Sequence, residues 1–234
     1  MKPLIVANWK MNPVSIKEAE KLFNSVKHGV EDIESAETVI CPPFIYLPLL
    51  KGLVLGAQDC YWEEKGAYTG EVSVAMLKEI GCKYVLAGHS ERRKLFGEKD
   101  NDVNKKVLSV LDAGLIPILC VGETEQEREQ EKTEKVLKEE LEIGLTDVHD
   151  VSKVIVAYEP IWAIGTGNAC DVEEAQRMKE IIQKMVSKDI RILYGGSVKA
   201  NNAEGYLKQA GFDGLLVGGA SLDPKEFIKI VDNS

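Results

Sequence analysis

The sequence predicts an α/β protein in which eight parallel strands, each followed by a helical segment, close into a single-domain (β/α)8 barrel over residues 1–234. Three observations lead there. Eight short apolar runs recur along the chain, segments of helical period lie between most of them, and the length is one at which such a barrel still encloses one core.

The runs are Leu4 to Ala7, Thr38 to Cys41, Val54 to Ala57, Tyr84 to Ala87, Pro117 to Val121, Val154 to Tyr158, Arg191 to Tyr194 and Gly214 to Val217. Each is continuously apolar rather than alternating, the pattern of a parallel strand covered on both faces. The first helical segment opens on Ser15 with Glu18 at capping-box spacing, and Ala19, Leu22, Phe23 and Val26 then fall at i, i+3, i+4 and i+7. The second, PPFIYLPLLKG, is the weakest helix because Pro48 interrupts it. A helix is expected from Val72 after a Gly-containing turn. The charged run Glu125 to Glu142 opens on Thr124 with Glu127, carries Val136, Leu137 and Leu141, and alternates in sign like a solvated helix face. Asp171 with Glu174 repeats the capping-box spacing ahead of Met178, Ile181, Ile182 and Met185, and Asp223 followed by Pro224 fits an N-cap with Pro at N1. The units share little residue-level similarity and no low-complexity linker divides them, which disfavours a solenoid.

A formal net charge of -9 argues against nucleic acid or an anionic membrane surface as the main partner, so an anionic ligand must meet locally placed donors. Cys41, Cys60, Cys82, Cys120 and Cys170 form no CxxC pair and read as reduced thiols of a cytoplasmic protein. The opening MKPLIVANWKMN is too short an apolar run for a signal peptide, and no run is long enough to span a bilayer.

Barrel chemistry gathers where strands end, and four kinds of ending stand out. The first strand runs into Asn8 and Lys10, the fourth into His89, Ser90, Glu91 and Arg92, the sixth into Glu159, and the last two into Gly195-Gly196-Ser197 and Gly218-Gly219. One Gly-Gly pair is equally a tight turn; two on adjacent strand ends favour a phosphate held by backbone N–H groups. Lys10 is either a solvated lysine or the cation for that phosphate and for oxyanion charge. His89 is either a packing residue or a group for proton transfer and carbonyl polarisation. Glu159 either pairs with a basic residue at the barrel mouth or, buried and unpaired, serves as a general base. Glu91, beside Arg92 and Arg93, reads as an ion-pair member in a supporting role. No metal-ligand cluster, GxGxxG or GxxxxGK[ST] occurs, so neither a metal nor a nucleotide cofactor is expected.

Seven stretches, VANWKMN, GAYTGEVS, LAGHSERR, CVGETEQERE, AYEPIWAIGTG, YGGSV and LLVGGASL, together resemble the triosephosphate isomerase family over essentially the whole chain, and with it the TIM barrel. The resemblance implies that Asn8 and Lys10 bind substrate, His89 is the electrophile and Glu159 the catalytic base. Gly165, Ser197, Gly218 and Gly219 would bind phosphate through backbone groups, with Glu91 supporting. The implied reaction is the cofactor-free interconversion of dihydroxyacetone phosphate and D-glyceraldehyde 3-phosphate through an enediolate, in glycolysis and gluconeogenesis. Pro160, Ile161, Trp162, Ala163, Ile164, Gly165, Thr166 and Gly167 would form a lid that excludes water from an intermediate able to eliminate phosphate. The family pattern sets His89 beside the helix-starting SERR, where an N-terminus disfavours imidazolium. GAYTGEVS implies a homodimer at least, with Thr69 reaching the neighbouring subunit's site. The lid's far hinge reads Asn168, Ala169, Cys170, and the segment from Gly167 to Tyr194 is shorter than in most bacterial and eukaryotic relatives.

Two other readings fit the residues less well. A Schiff-base aldolase among the phosphate-binding barrels needs its lysine on a later strand, where the sixth offers Glu159. A barrel that only binds does not need Lys10, His89 and Glu159 together.

Overall fold

The computed structural model describes residues 1–164 and 169–234. Strands β1 (Leu4–Asn8), β2 (Glu37–Cys41), β3 (Val54–Ala57), β4 (Cys82–Ala87), β5 (Ile116–Val121), β6 (Ile155–Tyr158), β7 (Arg191–Tyr194) and β8 (Gly214–Val217) lie in chain order. All pair in parallel, and β8 returns to β1 to close the barrel. Successive side chains point to opposite faces of a strand. Leu4, Val6, Val39, Leu86, Ile118 and Ala157 therefore fill the barrel interior, while Ile5, Ala7, Val85, Leu119 and Val156 face the helix layer. Both faces are dry, which is why the runs show no alternation.

The helix layer consists of α1 (Ile16–Val30), α2 (Val74–Glu79), α3 (Ser90–Phe96), α4 (Asp100–Asp112), α5 (Glu125–Glu129), α6 (Thr133–Gly144), α7 (Val172–Met185) and α8 (Pro224–Asp232). Ser15 caps α1 by accepting the Glu18 N–H, Thr124 and Glu127 close a capping box on α5, and Asp223 caps α8 with Pro224 at its first position. Elsewhere the local signals give way. Asp171 caps α7 through the Glu173 N–H at 2.8 Å, while Glu174 turns to Arg177 at 3.1 Å. The segment containing Pro48 is a 3-10 helix, Phe44–Leu49, and α2 begins at Val74 under a Ser73 cap. Between β7 and β8 the chain forms one π-helical turn, Gly205–Gln209. The charged run is not one solvated helix face: Glu131 takes a φ of 56° between α5 and α6, and α6 then buries Leu137, Glu140 and Leu141.

All five cysteines are buried and unpaired, and burial pushes the Cys82 thiol up to about 11 and Cys170 to about 12. Among the described residues no helix is long and apolar enough to cross a membrane.

The top of the barrel is packed to its limit at Gly122, just past β5. A Cβ there would lie 1.8 Å from the Glu159 carbonyl oxygen. Gly122→Ala is expected to lower stability by about 3 kcal/mol, because backbone cannot yield as a side chain can. Denaturant unfolding followed by circular dichroism reads this; an unchanged midpoint would mean that β5 and β6 separate freely here.

Candidate active site

A cavity of about 510 Å³ opens where the strands end. Asn8 and Lys10 line it from β1, His89 from the end of β4, Glu159 from β6, Ser197 from β7, and Gly218 and Gly219 from β8. Ile164 lines it from the lid segment. The expected residues thus meet in one place, except Gly165, which lies outside the described residues, as do Thr166 and Gly167. Among the described residues no group of His, Cys, Asp and Glu could hold a metal ion.

Asn8 ends the inward row Leu4, Val6, Asn8, and its Oδ1 accepts the Lys10 N–H at 2.9 Å. Lys10 adopts a φ of 54°, a left-handed conformation that a side-chain-bearing residue keeps only when its surroundings hold it. The second holder is Gln58, whose Nε2 donates to the Lys10 carbonyl and to the Cys41 carbonyl, both at 2.8 Å. Lys10 Nζ then reaches Glu91 Oε1 at 2.6 Å. Glu91 is therefore an ion-pair member with Lys10 and not with its neighbours in sequence. Arg92 turns instead to Asp59 at 2.8 Å, and Arg93 to Asp100 and the Gly88 carbonyl.

Glu159 continues the inward row Ile155, Ala157, Glu159 one step beyond β6 and is 2% exposed. One of its carboxylate oxygens is hydrogen-bonded and the other is buried without a hydrogen bond. Oε2 accepts the Ser90 N–H at 2.9 Å, and Oε1 lies 3.1 Å from His89 Nε2. His89 caps α3: its Nδ1 accepts the Glu91 N–H at 3.2 Å. A ring nitrogen that accepts carries no proton, so this contact suits the tautomer whose hydrogen is on Nε2, the ring nitrogen nearer Glu159. The helix start acts on His89 by a direct hydrogen bond as well as by its dipole.

Gly218 leads into a 3-10 turn, Gly219–Leu222, whose first amides have no partner within the turn. Such amides beside Lys10 suit a phosphate. Across the cavity, Ile161–Ala163 forms a 3-10 turn of the lid segment after Pro160. Trp162 Nε1 donates to Glu123 Oε1 at 2.7 Å, and the Tyr158 hydroxyl approaches the same carboxylate at 3.2 Å. The Arg128 guanidinium lies 3.9 Å over the Trp162 ring, and the Ser197 hydroxyl donates to the Ala163 carbonyl. Burial raises the Glu123 carboxyl above its ordinary range, against the pull of the Trp162 and Tyr158 donors. Gln58, Ser90 and Glu123 hold the site together, and sequence reasoning gave none of these roles. The available signal was position alone, since Gln58 and Glu123 are polar residues just past the ends of apolar strands.

A family model described as triosephosphate isomerase matches residues 3–234. The chain belongs to the triosephosphate isomerase family. Members similar to it include one from Aquifex aeolicus (strain VF5), 46% identical over 99% of this chain and 99% of its own. Another, from Gloeothece citriformis (strain PCC 7424), is 48% identical over 99% of this chain and 98% of its own. A third, from Synechocystis sp. (strain ATCC 27184 / PCC 6803 / Kazusa), has the same identity and the same coverage. All three are named triosephosphate isomerase. The likeness to the isomerase family thus runs through the helix layer as well as through the strand ends that form the cavity.

Proposed function

We propose that this protein is an isomerase that interconverts dihydroxyacetone phosphate and D-glyceraldehyde 3-phosphate without a cofactor, the step shared by glycolysis and gluconeogenesis. The observation that carries the assignment of roles is the meeting of Lys10, His89 and Glu159 with the Ser197 and Gly218-Gly219 turns in one cavity. Phosphate binds the turn amides, with Lys10 and Asn8 beside it. Glu159 leaves the Ser90 N–H, swings toward the substrate and removes a proton from the carbon next to the carbonyl. The electron pair of that C–H bond becomes the carbon–carbon double bond, and the carbonyl π pair moves onto the oxygen. His89 Nε2–H and Lys10 Nζ stabilise the resulting enediolate, the hydroxyl proton passes from one of its oxygens to the other, and Glu159 returns the carbon-bound proton to the neighbouring carbon as the second carbonyl forms. A neutral His89 can donate to this oxygen, and it avoids forming an ion pair that would fix Glu159 in place.

Pro160 to Ile164, the described part of the lid, close over the site, with Ile164 as part of its apolar roof. The protein works in the cytoplasm as one domain per chain and as a homodimer at least, with Thr69 at the partner's site. Supporting this are exposed apolar side chains at Met11, Val14, Ile45, Tyr68, Leu95 and Phe96. These follow β1 to β4, four neighbouring strands, so they leave the barrel from one end and one side.

The test is a coupled assay of glyceraldehyde 3-phosphate conversion by purified protein in the presence of a chelator. Turnover is expected; its absence at saturating substrate would overturn the assignment.

A further inference from the structure

Behind the site, α6 buries a carboxylate that the proposed reaction leaves idle. Glu140 Oε2 accepts the Gly122 N–H at 2.8 Å, and Oε1 lies 3.5 Å from Arg93 Nη1. Both partners bear on the reacting residues. Gly122 packs directly against the Glu159 backbone. Arg93 belongs to α3, the helix that His89 caps and whose Ser90 N–H holds Glu159. Arg93 also donates to the Gly88 carbonyl at 2.7 Å and to the Cys120 carbonyl at 3.3 Å, tying α3 to the ends of β4 and β5.

We propose that Glu140 is a positioning residue: its carboxylate draws Gly122 and Arg93 together, and so sets the seat of Glu159 against His89. This rests on the isomerase reading above. The groups facing it are Arg93 from α3, Asp100 from α4, Glu127 from α5 and the Cys120 thiol of β5. Burial is the largest influence, and it outweighs Arg93 and the Gly122 N–H to push the carboxyl up to about 7. The charge therefore changes in the neutral range. Once protonated, Glu140 no longer shares Arg93 with Asp100, and its hydrogen bond to Gly122 loses its charge assistance.

Activity and stability then move in opposite directions. A carboxyl raised from 4.5 to about 7 binds its proton more tightly in the folded chain than in the unfolded one, so its contribution to stability falls as pH rises between those values. Positioning improves over the same interval. Glu140→Gln, neutral at every pH, should be the more stable protein above neutrality and also the slower one, whereas a purely structural role predicts more stable and no slower.

The experiment measures kcat across about pH 6 to 8, because kcat/KM also carries the substrate phosphate, which titrates near 6. The unsubstituted protein should lose kcat as pH falls through about 7, while Glu140→Gln stays flat at roughly threefold to tenfold below the upper plateau with KM within about twofold. Superimposable profiles would overturn the proposal while leaving the isomerase reading intact. If the unsubstituted protein shows no turnover, that reading fails instead. A second measurement covers this case and a Glu140→Gln that does not fold. In nitrogen-15 spectra of the unsubstituted protein the Gly122 amide proton should titrate near 7, and a shift independent of pH would equally overturn the proposal.

Discussion

Glu159→Asp is expected to lower kcat by about a hundredfold or more, with the fold retained and KM little changed, because proton transfer requires the carboxylate within bonding reach of the reacting carbon. The shorter side chain withdraws the oxygens by roughly one carbon–carbon bond, ~1.5 Å. The site has little slack to restore that reach. A Cβ on Gly195 would sit 2.9 Å from Glu159 Cγ, and the strand end is fixed by the Glu159 N–H on the Val121 carbonyl at 2.8 Å. The coupled assay gives the rate and circular dichroism the fold. Near-normal turnover would remove Glu159 from the role of base.

Lys10→Met keeps most of the aliphatic stem and deletes the charge, and kcat/KM should fall by about a thousandfold or more. Two losses combine: the cation beside the phosphate turns, and the stabilisation of negative charge on the enediolate oxygen. Removing Lys10 also leaves Glu91 without its partner at 2.6 Å, placing a bare carboxylate near an anionic substrate. Lys10→Arg should restore little, since a planar guanidinium differs from a compact ammonium in both shape and hydration. If Lys10→Met lost less than about tenfold, the side chain would be no more than a solvated surface lysine.

The barrel was legible because burial on both faces leaves a mark on every residue of a strand. Val154 to Tyr158 reads as a strand by composition alone, and β6 is found at Ile155–Tyr158. The helix layer was less legible where a single backbone angle decides. Nothing in the composition of the run after Thr124 marks Glu131 for the left-handed conformation that breaks it, and Glu140 lies buried in the helix that follows the break. At the cavity, the residues that face the ligand could be named because each ends a strand. Their partners could not, because each contact spans the chain: Gln58 reaches Lys10 across 48 positions, Ser90 reaches Glu159 across 69, and Trp162 reaches Glu123 across 39. Period and spacing report what lies within a turn or a strand and are silent on pairs brought together by closing the barrel.

Depth along the barrel axis separates two kinds of damage. The inward rows change from apolar to polar at one level, Val6 to Asn8 on β1 and Ala157 to Glu159 on β6. Below that level a substitution disturbs a dry plug of Leu, Ile, Val and Cys side chains and shows up as melting. Above it, a change in a side chain that faces the cavity leaves the plug untouched and shows up as silence in the assay, whereas Gly122, pressed on the Glu159 backbone, answers to both. Stability and turnover in this protein can therefore be tuned from opposite ends of the same strand.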